Sequence, residues 1–61
     1  MYTVYLYSET NDKVSVETFL TETEAKSFCD ILLKLSDKQL ICMPDGSTPT
    51  LICYEYDTDY N

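Results

Sequence analysis

The 61 residues contain no arginine, no histidine and no tryptophan, and only one glycine. Without histidine the chain lacks the side chain that titrates near neutral pH and the commonest metal ligand. Four lysines stand against eleven aspartates and glutamates, giving a net charge of -7. So few cations cannot neutralise a run of phosphates, which excludes direct nucleic-acid binding. The same balance repels an anionic lipid surface. No apolar run approaches the roughly 20 residues needed to cross a bilayer, so no membrane association is expected. The opening Met1-Tyr2-Thr3-Val4-Tyr5-Leu6-Tyr7 has neither the basic start nor the apolar centre of a secretory leader. Cys29, Cys42 and Cys53 form an odd set without paired spacing, unlike the even sets of disulfide-stapled secreted domains. A reduced, cytoplasmic protein is expected, lying in the host cell if its source is viral.

What is present is an ordinary globular composition, 44% hydrophobic. The length fits one domain over 1–61, with residues 58–61 frayed. A chain of this size buries only about 60% of its unfolded surface, so its stability margin is thin. Residues 2–8 are β-branched and aromatic, and residues 14–19 alternate apolar with polar. Joined by polar residues 9–13, they predict a β-hairpin. Thr21-Glu22-Thr23-Glu24 has the form of a capping box. Behind it Ala25, Phe28, Cys29, Leu32 and Leu35 recur at helical spacing, predicting a helix over about 22–36. The run 39–43, the turn formers Pro44-Asp45-Gly46-Ser47 and the run 50–57 predict a second hairpin.

The expected fold is therefore α+β, ββαββ, with one helix packed on a four-stranded sheet made of two hairpins. Its core would hold Val4, Leu6, Val14, Val16, Ala25, Phe28, Leu32, Ile41, Ile52 and Tyr54. In element order this resembles the small immunoglobulin-binding domains of bacterial surface proteins. The likeness implies that the first and last strands lie side by side in the centre of the sheet. It covers element order alone and carries no function with it.

Strand parity divides the side chains between two faces. If Val4, Leu6, Ile52, Tyr54 and Tyr56 face the helix, then Tyr5, Tyr7, Leu51 and Cys53 share the other side, joined by Leu40 and Cys42 from the predicted third strand. A single helix covers one side only, and an uncovered apolar patch of this kind marks an interface. Cys42 and Cys53 would stand nearly opposite one another, a thiol pair able to bridge under oxidation. Three unspaced cysteines without histidine are poor material for zinc, so no metal site is expected. No cofactor is implied. Without a histidine base the thiols and hydroxyls lack the partner that nucleophilic catalysis needs, and the chain is expected not to be an enzyme.

The remaining signal is acid interleaved with tyrosine in Tyr54-Glu55-Tyr56-Asp57-Thr58-Asp59-Tyr60. On an extended strand Glu55, Asp57 and Asp59 would stand about 6.8 Å apart along one side, close to the separation of successive phosphates. These features predict a non-enzymatic acidic protein-binding module. It would act as an inhibitor or nucleic-acid mimic of the phage or mobile-element kind, blocking a basic site on a protein that handles nucleic acid. Its contact residues would be Tyr5, Tyr7, Leu40, Leu51, Glu55, Tyr56, Asp57 and Asp59. The alternative is a small homodimeric structural or assembly protein joined through the exposed sheet face.

Overall fold

The computed structural model describes residues 1–58. Its element order is β1 (Tyr2–Tyr7), β2 (Lys13–Phe19), α1 (Glu22–Asp37) and β3 (Leu51–Tyr56). The strands form one antiparallel sheet in the order β2-β1-β3. The α+β class and the first hairpin follow the sequence reading. Among the described residues there are three strands rather than four.

The first hairpin closes as its residues dictate. The Ser8 amide donates to the Asp12 carbonyl at 3.0 Å and the Asn11 amide to the Ser8 carbonyl at 3.1 Å. Asn11 takes φ 66°, the left-handed position of a three-residue turn, which asparagine occupies more readily than other residues with a side chain. The buried Ser8 hydroxyl accepts the amides of Thr10 and Asp12 at 3.2 and 3.1 Å and bonds the Thr10 hydroxyl at 2.9 Å.

Helix α1 starts where the capping signal places it. The Thr21 hydroxyl accepts the Glu24 amide at 3.3 Å and donates to the Glu24 carboxylate at 2.9 Å. Its end is a Schellman motif: the Gln39 amide bonds the Ser36 carbonyl at 2.9 Å, and the Leu40 amide reaches the Leu35 carbonyl at 2.8 Å. Gln39 supplies the left-handed residue, at φ 59°.

That cap is one reason the expected strand at 39–43 does not form. The Leu40 amide is spent on the helix end. The Met43 amide goes to the Ser47 carbonyl at 2.7 Å and the Gly46 amide returns to the Met43 carbonyl at 2.8 Å. The turn expected at Pro44-Asp45-Gly46-Ser47 therefore does close, with the bond pattern of the first hairpin, but no ladder continues from it. The segment is a connection that plugs the core: Met43 is fully buried and Ile41 packs on the core's margin. The first and last strands are neighbours, as the element-order resemblance implies, but only β1 is central and β3 is an edge strand. With no strand at 39–43 to reverse the chain, they run antiparallel.

The core comprises Val4, Leu6, Ala25, Cys29, Leu32, Met43 and Ile52, with Tyr2, Val14, Phe19, Phe28, Leu35, Ile41 and Tyr54 packed around it. Val16, expected inside, is 40% exposed. The β1–β2 register shifts between Val4 and Tyr5, where Ser15 faces Tyr5 but Glu17 faces Val4. Val16 is the extra residue of a β-bulge, and the bulge breaks the alternation that would have turned it inward.

Candidate functional site

The molecule extends 31 × 21 × 13 Å over its Cα atoms, a thickness that accommodates one helix layer on one sheet layer. Helix α1 packs on the side carrying Val4, Leu6 and Ile52. Side-chain alternation places Thr3, Tyr5 and Tyr7 of β1, Lys13 and Ser15 of β2, and Leu51, Cys53 and Glu55 of β3 on the opposite face. In the register Tyr5 lies between Ser15 and Cys53, Tyr7 between Lys13 and Leu51, and Thr3 between Thr18 and Glu55.

This face is organised around one cation. The Lys13 ammonium pairs with Glu55 Oε1 at 3.1 Å and sits 4.1 Å from the centre of the Tyr5 ring and 5.7 Å from that of Tyr7. The Tyr7 hydroxyl donates to Glu55 Oε2. Each contact spans strands: Lys13 is on β2, the tyrosines on β1 and Glu55 on β3. Hydrogen bonding by Tyr7, then by Lys13, holds the Glu55 carboxyl below its usual range. The same bond to Glu55 is the main reason the Tyr7 hydroxyl and the Lys13 ammonium titrate above their usual values. The sequence reading overlooked Lys13. Its signal was the parity of β2, which places Lys13 on the tyrosine side once Val14 faces inward.

Of the residues expected to bind a partner, Tyr5, Tyr7, Leu51 and Glu55 come together on the outer face, where Leu51 is 54% exposed. Tyr56 is on the other side, its ring 5.0 Å from that of Tyr2. Leu40 is 65% exposed in the connection after α1, away from the sheet, because the strand meant to carry it does not form. Asp57 follows the end of β3, its amide donating to the Met1 carbonyl at 2.8 Å. Asp59 lies outside the described residues.

The expected opposition of Cys42 and Cys53 required the second hairpin. Cys42 is exposed in the connection, whereas Cys53 is half-buried on β3 with Tyr5 as its cross-strand neighbour. Both are free thiols, as is the buried Cys29. Burial raises the pKa of Cys29 and Cys53 above the usual thiol value, which favours the protonated, unreactive form. Among the described residues no group of three or more acidic or cysteine side chains is arranged to hold a metal ion. No helix among them is long and apolar enough to cross a membrane.

Glu9 and Asp45 line one shallow depression with Ser8, Thr10 and Ser47 at the hairpin-turn end. Asp45 accepts the Ser47 hydroxyl at 2.6 Å and the Ser47 amide at 2.9 Å, bonds that lower its pKa. Comparison with protein-family models, with characterised proteins and with solved structures finds no match.

Proposed function

We propose that this chain is an acidic protein-binding module that docks on a basic surface of another protein. The observation that carries the reading is the outer sheet face. No helix or strand among the described residues lies over it, and it presents Tyr5, Tyr7 and Leu51 around an ordered Lys13–Glu55 pair. Tyrosines give large, rigid contact area at low entropic cost. The net charge of -7 steers such a face toward a cationic target and makes the encounter salt-dependent. The raised thiol pKa values and the absence of histidine favour binding over catalysis.

Glu55 is balanced by Lys13, so it is a poor phosphate substitute. This favours a mixed tyrosine and charge contact over a carboxylate row that imitates a nucleic-acid strand. The test is affinity capture at low and high salt, with wild type beside a Tyr7→Ala, Leu51→Ser variant. The reading expects captured proteins that are basic, lost at high salt and lost with the variant. Capture of non-basic proteins, or capture indifferent to both salt and variant, overturns it. Sedimentation over micromolar concentrations separates the homodimer: a monomer throughout is the expected result.

A further inference from the structure

The two edges of the sheet are built differently. The β2 edge carries Lys13, Glu17 and the bulge at Val16, devices that discourage another strand from pairing. Strand β3, Leu-Ile-Cys-Tyr-Glu-Tyr, contains no lysine and no proline and keeps an unbroken register against β1. The bond from the Asp57 amide to the Met1 carbonyl fixes the phase of that ladder. Hydrogen-bonded residues alternate along an antiparallel pair, so Leu51, Cys53 and Glu55 turn their backbone groups toward β1. Ile52, Tyr54 and Tyr56 turn theirs outward, to an edge where no further strand pairs among the described residues. The connection after α1 does not run along it: Met43, Asp45 and Ser47 line depressions with residues of 8–14, beside the first hairpin.

We infer that the β3 edge accepts an added strand from the partner, an extended segment in which apolar and basic side chains alternate. This rests on the basic-partner reading above and gives it a geometry. On the helix side the added strand meets Ile52, Tyr54, Tyr56 and the 46%-exposed Leu33 of α1, which lines a groove with Asp37, Pro49 and Leu51. Apolar side chains fit there. On the other side its neighbours are Cys53 and Glu55, and opposite charges facing across strands attract. The Glu55 carboxylate, already bonded to Tyr7 and Lys13, retains acceptor capacity. Charge selects among occupants: a second copy brings another -7 against this one, whereas a lysine-bearing segment is attracted.

The probe is a synthetic peptide of about nine residues, within the usual strand length, alternating valine and lysine. A second version is N-methylated at alternate amides, so charge is kept and strand pairing is blocked. A third replaces lysine by glutamate. Binding is read by fluorescence anisotropy, and backbone amide exchange by NMR. The valine–lysine peptide is expected to slow exchange at Ile52, Tyr54 and Tyr56 while leaving Ser15 on the β2 edge unchanged. N-methylation weakens binding about tenfold or more, because several backbone bonds are lost together. Tyr56→Pro, which removes an outward-facing donor at an exposed position, weakens it similarly while thermal melting shows the variant folded. Equal binding by the methylated peptide overturns strand addition yet leaves a basic partner on the outer face. Equal edge protection by the glutamate peptide overturns the basic chemistry of the strand. A dimer that Tyr56→Pro abolishes assigns the edge to a second copy and overturns the proposal.

Discussion

At the scale of single residues, Glu55 is the most informative position, because three strands meet at its carboxylate. A carboxyl whose folded pKa lies below its unfolded one contributes stability that is full above about pH 4.3. That contribution is lost as pH falls through the depressed folded value. Glu55 and Asp45 are both of this kind. Tyr7 and Lys13 are raised, mainly through Glu55, so their contribution is full below about pH 10 and lost as pH rises through the folded values. Thermal melting of Glu55→Gln against pH is therefore expected to show a shallower fall than wild type at both extremes. An unchanged profile at either end contradicts the geometry. Gln39 offers a second residue-scale outcome. It holds a left-handed conformation that glycine adopts without steric cost. Gln39→Gly is expected to raise the denaturant midpoint, by about 0.5–1 kcal/mol of stability, with an unchanged slope. Asn11→Ala moves in the opposite direction for the same reason, at φ 66°.

At the scale of elements, legibility followed the density of local signals. Helix α1 begins at Glu22, as expected from Thr21 and Glu24, and ends at Asp37, one residue beyond the expectation. The apolar spacing and the cap agree with each other, and both are local. Thr21→Ala removes the N-cap acceptor and is expected to cost about 1 kcal/mol, read as loss of helical circular dichroism at lower temperature. Phase was legible too: Tyr5, Tyr7, Leu51 and Cys53 share a side as strand alternation requires. Within 39–50 the turn at Pro44-Asp45-Gly46-Ser47 was legible, and the absence of a strand at 39–43 was not. Ile41 and Met43 look like alternate positions of a strand, but a strand needs a partner, and periodicity alone does not supply one. The turn at Met43–Ser47 closes as its residues predict, but the helix cap takes the Leu40 amide and no ladder extends from the turn. The candidate site was partly legible for the same reason. Leu40 and Cys42 were tied to an element that does not exist, and Lys13 was hidden because pairing it with Glu55 requires strand order, a non-local fact.

At the scale of the whole molecule, the core is small and each large member matters. Leu32 is buried among Val4, Leu6, Met43 and Ile52. Leu32→Ala is expected to cost about 2–5 kcal/mol, a large share of what a domain of this size holds, so chemical denaturation is expected to find it mostly unfolded or close to it. Phe28 packs at the margin against Phe19, with ring centres 5.3 Å apart, so its truncation is expected to cost less than that of Leu32.

The central position of β1 also sets a timetable for biosynthesis. Residues 2–7 are synthesised well before their β3 partners, residues 51–56. Until then the nascent chain carries an aromatic strand with one side unpaired, the condition in which chaperones bind and neighbouring chains aggregate. Slowed translation between β1 and β3 therefore lengthens that vulnerable interval, and a deletion of β3 makes it permanent.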